Sequence, residues 1–141
     1  MKILRLFAIV VAMLYIASQG NAMAQEATQN PGFDKAVIEA LCDQVWADDD
    51  YTADPTFFAK AVVQADALLS YFEQKYGIEK IRKGEIEVAQ SLEPFGAEDT
   101  ELFRNLNFLG SSLYGMEEKM DEATREAYAK YQEHNSAVRG Y

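Results

Sequence analysis

The residues whose type and spacing best suit a chemical role form the acidic segment from Asp48 to Asp54. Oxygen-bearing side chains stand at alternate positions, as in a calcium-binding loop: Asp48, Asp50, Thr52 and Asp54. An EF-hand also needs glycine at its sixth position and glutamate at its twelfth, where this chain has Ala53 and Ala59. The segment is therefore not an EF-hand. It is either a weak cation site at Asp48, Asp50 and Asp54 or a solvated loop whose last aspartate caps a helix.

The only cysteine, Cys42, and the only histidine, His134, are the candidates for a nucleophile and its base. Cys42 lies beside an apolar helical stripe, where a free cysteine usually behaves as a small buried hydrophobe. Nothing in the sequence brings His134 to it. One cysteine cannot form an internal disulfide, so Cys42 is either buried or pairs with another chain.

Other catalytic and metal-binding patterns are missing. Tyr131 stands three residues before His134, so the Glu-x-x-His pair of di-iron bundles is absent. The chain has no G-x-S-x-G sequence, the pattern around the serine nucleophile of many hydrolases. We therefore predict that the protein is not an enzyme and needs no cofactor.

Aromatic residues of the C-terminal third are the candidates for binding a partner. Some of them stand off the main apolar stripe, and exposed aromatic side chains often mark contact surfaces. The alternative is that they pack against more than one neighbouring helix. The predicted partner-binding residues are Phe103, Phe108, Tyr114, Tyr128 and Tyr131.

The N-terminus has the order of a cleavable secretion signal. Lys2 and Arg5 precede an apolar run from Leu6 to Ala17, and Ala22-Met23-Ala24 supplies small residues at a cleavage position. The run is short for a membrane-spanning helix, which needs about 20 residues. We predict a signal peptide at 1–24 and a periplasmic or secreted protein without stable membrane insertion after cleavage. An uncleaved N-terminal anchor is the alternative.

The net charge favours some partners over others. The chain carries a formal charge of −10, and cleavage after Ala24 would remove two basic residues and no acid. Nucleic acid and anionic lipid attract basic proteins and repel acidic ones. The charge therefore argues against nucleic acid and suits a protein partner with a basic surface. The alternative, which the charge alone favours, is that it only keeps the protein soluble.

Apolar periodicity predicts helices that would position these residues. Ile38, Leu41 and Val45 mark a first helix that ends near Asp48. A second runs from Pro55, capped by Asp54, and ends just before Gly77. Its stripe recurs at steps of three and four: Phe58, Val62, Ala65, Leu69, Phe72 and Tyr76. A third, shorter helix starts near Ile78 and is bent or interrupted at Gly84.

A long apolar pattern follows, capped by Asp99 or Thr100 and starting at Leu102. It is either one helix or two that separate near Gly110-Ser111-Ser112, and we favour the separation because glycine destabilises a helix interior. The predicted fold is all-α, a small antiparallel bundle of four to five amphipathic helices. The predicted domains are a flexible N-terminus at 25–32, the bundle at 33–134 and a loose tail at 135–141.

The predicted function is binding. The lead hypothesis is an exported module, acting as an inhibitor, immunity-type protein, chaperone or adaptor, that docks an acidic face bearing aromatic residues onto another protein. The alternative is a carrier of a small molecule or metal ion that uses the bundle interior or the acidic loop at 48–54. Both a monomer and a homodimer fit the sequence.

Overall fold

The computed structural model describes residues 32–47 and 50–140, and in this part of the chain it is all-helical. The predicted signal peptide, most of the flexible N-terminus, Asp48 and Tyr141 lie outside the described residues. The described residues form five α-helices: α1 Lys35–Trp46, α2 Phe57–Tyr76, α3 Ile78–Ala89, α4 Gly96–Leu113 and α5 Glu122–Arg139. Single 3₁₀ turns at Tyr51–Ala53 and Glu117–Lys119 precede α2 and α5.

Helix α2 is the centre of the bundle and packs against each of the other four helices. The side chains of its predicted stripe are buried, except for Tyr76, which is half-buried. The Asp34 backbone N–H donates to Gln64, and Gln44 donates to Asp54, so α1 and α2 run antiparallel. The burial of this stripe removes apolar surface from water, which is the main favourable contribution to folding.

Helices α1 and α4 run in the same direction on one side of α2. Their first turns are joined by an ion pair between Lys35 and Glu98, with 3.8 Å between nitrogen and oxygen. Trp46 in the last turn of α1 stacks on Phe108, late in α4. These contacts at both ends fix the alignment of the two helices.

The start of α2 differs from the prediction. The helix begins at Phe57, two residues after Pro55, because Asp54 accepts hydrogen bonds from the backbone N–H and the hydroxyl of Thr56. This local turn uses the Asp54 carboxylate that was expected to cap the helix. At the other end Gly77, with φ +86°, ends α2 and directly precedes α3.

Gly84 neither bends nor interrupts α3, which is continuous from Ile78 to Ala89. The ring of Phe95 packs directly on the helix backbone at this glycine. A Cβ atom added to Gly84 would lie 2.8 Å from Cε2 and 3.0 Å from Cε1 of that ring. The glycine therefore permits a close approach between α3 and the turn before α4.

The long C-terminal pattern forms two helices, as favoured from the sequence, but they separate after Leu113. Gly110, Ser111 and Ser112 are helical, whereas Gly115 has φ +75° and lies in the connection. Asp99 and Thr100 do not cap α4, because the helix starts at Gly96. Asp121 caps α5 by accepting a hydrogen bond of 2.8 Å from the Thr124 backbone N–H.

The prediction of a loose tail at 135–141 is wrong for residues 135–139, which complete α5. Val138 is buried, and Arg82 donates hydrogen bonds to the carbonyl oxygens of Val138 (2.9 Å) and Ala137 (3.0 Å). Gly140 then ends the helix in the left-handed conformation. An arginine from α3 thus satisfies carbonyl groups that the end of a helix leaves unpaired.

No helix in residues 32–47 and 50–140 combines the length and the apolar character needed to cross a membrane.

Candidate functional site

Three of the five predicted partner-binding aromatics are buried, so the expectation that they form an exposed face is wrong. Phe103 is 0% exposed and Tyr128 is 3% exposed, and Tyr131 is also buried. The ring of Phe103 packs against those of Phe72 and Phe95, with centroids 5.3 and 5.0 Å apart. The physical reason is that each of the two helices packs on two neighbours: α4, which carries Phe103, packs against α1 and α2, and α5, which carries the two tyrosines, packs against α2 and α3.

The other two predicted residues reach the surface at different places. Tyr114 is 77% exposed, just after the end of α4. Phe108 is half-buried, and its ring lies parallel to the indole of Trp46, with centroids 5.3 Å apart and 2° between the planes. Trp46 is 74% exposed. Trp46 directly follows Val45 of the first helical stripe, and periodicity alone does not show that it has a partner on α4.

Acidic side chains accompany this aromatic pair. Glu39 and Asp43 precede Trp46 by seven and three residues on α1, and Glu101 precedes Phe108 by seven on α4. These spacings place the acids on the same helix faces as the two rings. Helix α1 has no basic residue in its last turn, so its own last turn does not offset the partial negative charge of its C-terminus. We call Trp46, Phe108, Glu39, Asp43 and Glu101 the Trp46–Phe108 surface.

Two basic residues stand near these acids in the sequence: Lys35, four residues before Glu39, and Arg104, three residues after Glu101. Arg104 is paired with Glu101, with 3.4 Å between nitrogen and oxygen, and both side chains are largely solvent-exposed. Exposed ion pairs of this kind contribute little to stability. The surface therefore combines an aromatic centre with a mainly acidic edge.

Cys42 lies buried beneath this surface. Burial, followed by the charges of Asp43, Glu101 and Glu39, raises the pKa of its thiol to about 11. A thiol is nucleophilic only as the thiolate, so Cys42 is unreactive in the folded chain. His134, the proposed base, instead contacts carboxylates of α2: its Nε2 lies 2.8 Å from Glu73 and its Nδ1 3.2 Å from Asp66.

The predicted cation site remains a prediction because Asp48 lies outside the described residues. The carboxylate of Asp50 accepts hydrogen bonds from the backbone N–H and hydroxyl of Thr52. Asp54 is similarly engaged with Thr56 and Gln44. In residues 32–47 and 50–140 no three His, Cys, Asp or Glu side chains form a group that could hold a metal ion.

A polar cluster that the sequence analysis missed joins α2 to the first turn of α4. The buried carboxylate of Asp99 accepts hydrogen bonds from Tyr76 Oη (2.6 Å), Lys75 Nζ (2.9 Å) and Tyr71 Oη (3.0 Å). Burial would raise the pKa of Asp99, but the hydrogen bonds from Tyr76, Lys75 and Tyr71 outweigh it and hold the pKa below its usual value. All three donors belong to α2, so this cluster links that helix to the start of α4.

A groove between α4 and α5 brings together the remaining predicted tyrosines. Tyr114, Tyr128 and Tyr131 line it, together with polar side chains from α3, α4 and α5. Its volume is about 460 Å³, which lies within the range of small-molecule sites. Phe108 is not among its lining residues, so the predicted aromatics divide between this groove, the Trp46–Phe108 surface and the core.

Comparison of the chain with models of known protein families, with curated proteins and with solved structures gives no match.

Proposed function

We propose that this protein is an exported helical module that binds a basic surface of another protein through the Trp46–Phe108 surface. The observation that carries the proposal is the exposure of Trp46, a residue that is 74% accessible although its ring stacks on Phe108. Tryptophan is enriched among the residues that dominate binding energy at protein interfaces. The stacking holds the indole in one orientation, so little entropy would be lost when a partner covers it.

The acidic edge supports a basic partner. Glu39, Asp43 and Glu101 lie on the same helix faces as the two rings, and the whole chain carries a formal charge of −10. Opposite charge on the partner would accelerate association, whereas burial of the aromatic rings would set the lifetime of the complex. Export is predicted from residues 1–24 alone. If the protein is exported, its partner would be found in the periplasm or outside the cell.

A comparison of two single variants in the same capture experiment tests the proposal. Trp46→Ala removes the exposed ring of the surface, and Tyr114→Ala removes an equally exposed ring elsewhere. Tagged wild type and both variants are cross-linked in the source cells, and the captured proteins are identified. We expect wild type and Tyr114→Ala to capture a basic protein in stoichiometric amounts. We expect Trp46→Ala not to capture it.

The captured partner is then purified and titrated directly. Trp46 is the only tryptophan of the chain, so its emission reports on this surface. We expect a blue shift that saturates with partner, and an affinity reduced about 30-fold in Trp46→Ala, which corresponds to about 2 kcal/mol. Equal affinities for wild type and Trp46→Ala, or no enriched protein in any capture, would refute the proposed surface.

A further inference from the structure

The ring of Trp46 has one covered face and one open face. Its indole lies parallel to the ring of Phe108, with 2° between the planes and 5.3 Å between the centroids, so Phe108 covers one face only. The residue is nevertheless 74% exposed, which leaves the opposite face of the indole to solvent. The face of an aromatic ring carries partial negative charge, and tryptophan attracts a cation more strongly than tyrosine or phenylalanine does.

Two exposed carboxylates share a helix face with this ring. Asp43 and Glu39 precede Trp46 by three and seven residues on α1. Residues three apart on a helix have Cβ atoms about 5–6 Å from each other, so the Asp43 carboxylate is within reach of a group that lies on the indole. In residues 32–47 and 50–140 neither acid makes an ion pair with a basic side chain. Both are therefore available to a cation of the partner.

The negative charges of this region act together. Burial raises the pKa of the Cys42 thiol, and the charges of Asp43, Glu101 and Glu39 add to the rise. Carboxylates of α1 and α4 thus act on one buried atom and produce a single region of negative potential. The last turn of α1 contains no basic residue, and the C-terminus of the helix adds partial negative charge beside Trp46.

The bundle itself contains one arginine held by a ring and a carboxylate. The guanidinium of Arg139 lies over Phe103, 5.0 Å from the ring centroid, and its Nη1 lies 3.6 Å from Glu85 Oε1. A guanidinium can make both contacts at once because it is planar, so that one face stacks on the ring while N–H groups at its edge point to the carboxylate. A lysine ammonium has no flat face to stack and is more strongly hydrated.

We infer that the open face of Trp46 binds an arginine side chain of the basic partner, with the guanidinium stacked on the indole and its N–H groups directed at Asp43. This recognition rests on the proposed function and adds the group that is recognised. The acidic edge selects a cation, and the open indole face selects the planar cation over lysine.

Titration of the purified protein with two peptides of equal charge tests this recognition. One is a capped hexapeptide of alternating glycine and arginine, and the other has lysine in place of each arginine. Binding is followed by ¹H–¹⁵N NMR at low salt, where screening is weak, from the single indole N–H signal of the chain and from the backbone signals of α1. We expect a Kd of about 1 mM or tighter for the arginine peptide and about threefold weaker binding of the lysine peptide.

Matched variants locate the arginine. Trp46→Ala removes the indole, and Tyr114→Ala removes a similarly exposed ring just after α4. Asp43→Asn removes the carboxylate next to the indole, and Glu79→Gln removes an exposed carboxylate in the first turn of α3. We expect Trp46→Ala to bind the two peptides equally, Asp43→Asn to bind the arginine peptide about threefold more weakly than wild type, and both control variants to match wild type. Circular dichroism of each variant checks that the helices are intact.

Equal binding of the two peptides by wild type would overturn the inference and leave the proposed function standing, because the acidic edge would then recognise charge alone. A preference for arginine that persists in folded Trp46→Ala would also overturn it, since the guanidinium would then be recognised elsewhere. So would an Asp43→Asn protein that binds the arginine peptide as tightly as wild type does. If neither peptide binds, the surface does not attract basic groups, and the proposed function fails together with the inference.

Discussion

The hydroxyl of Tyr76 at the end of α2 lies 2.6 Å from the carboxylate of Asp99 in the first turn of α4. Burial, together with hydrogen bonding to Asp99, raises the pKa of Tyr76 to about 12. The hydroxyl therefore stays protonated at neutral pH and donates, while the carboxylate stays ionised and accepts. This pair fixes where α4 begins relative to the end of α2.

Removal of the Asp99 carboxylate should destabilise the fold. Asp99→Ala removes the acceptor shared by the half-buried hydroxyl groups of Tyr71 and Tyr76, and we expect a loss of about 2 kcal/mol in the free energy of unfolding. Tyr76→Phe leaves Asp99 with its other two donors and should cost about 1 kcal/mol. Urea denaturation at pH 7 measures both values. A midpoint for Asp99→Ala equal to that of wild type would show that the cluster contributes nothing.

The contribution of Asp99 should also depend on pH. Because its pKa in the folded state is lowered, the stabilisation is present above the ordinary value of 3.8 and is lost as the pH falls through the lower folded pKa. We expect the stability difference between wild type and Asp99→Asn to be constant from pH 7 down to about pH 4 and to shrink below it. A difference that already declines between pH 7 and pH 5 would contradict this assignment.

His134 should give the opposite dependence. Partial burial lowers its pKa, but hydrogen bonds with Glu73 and Asp66 outweigh this effect, so the folded pKa is raised above 6.5. The stabilisation is therefore present below pH 6.5 and is lost as the pH rises through the folded value. We expect His134→Gln to be less stable than wild type at about pH 5.5 and similar to it above about pH 8. Thermal melts across this range give the comparison, with Glu73→Gln as a second variant expected to behave in the same way.

Two glycines in helices should respond to alanine with opposite signs. Gly84→Ala forces a Cβ atom against the Phe95 ring, and we expect it to destabilise the protein by about 1–3 kcal/mol. At Gly110 the nearest atom to an added Cβ is the Tyr131 hydroxyl at 3.7 Å, an ordinary contact. Gly110→Ala should therefore stabilise by about 0.5–1 kcal/mol, because it restricts the unfolded chain. Chemical denaturation of both variants under one set of conditions tests the pair, and a stable Gly84→Ala protein would contradict the close approach.

Truncation of a buried ring should destabilise the protein more than truncation of an exposed ring. Phe103→Ala should cost about 3–5 kcal/mol, since the ring is fully buried among other aromatics. Trp46→Ala should cost about 1 kcal/mol or less, because most of the indole is already in water. Equilibrium unfolding monitored by circular dichroism measures both. A larger loss of stability for Trp46→Ala than for Phe103→Ala would contradict the assignment of Phe103 to the core and Trp46 to the surface.

Cleavage of the predicted signal peptide is tested on the protein purified from the source cells. We expect a chain that starts at Gln25, found in the periplasmic or secreted fraction, because cleavage follows Ala24. Intact-mass measurement and N-terminal sequencing identify the first residue. An intact Met1 on membrane-bound protein would instead support the N-terminal anchor.

The helical stripes of α1 and α2 could be read from the sequence because their apolar residues recur at three and four positions. That period shows which side chains share a face, but not how many faces a neighbour covers. Phe103 and Tyr128 stand off the main stripe and are nevertheless buried, because α4 and α5 each pack on more than one side. The aromatic residue types were therefore visible in the sequence, whereas the division between core and surface was not.

Periodicity also could not predict contacts between residues that are far apart in the sequence. Gly84 suggested a bend, but its role depends on the ring of Phe95, which belongs to the next turn of the chain. The end of α5 depends on Arg82 from another helix. Trp46 and Phe108 are far apart in sequence and meet only because α1 and α4 run in the same direction. Each of these features needs the tertiary arrangement to be known first.

Because Cys42 is buried, the rate at which its thiol is alkylated measures how often α1 opens. Its side chain faces the core, and its raised pKa makes it inert while the helix is docked. Alkylation would therefore proceed only as fast as α1 detaches and exposes it, a local event that need not involve the other four helices. Labelling rates measured with and without a bound partner would report how strongly an occupied Trp46–Phe108 surface holds α1 in place.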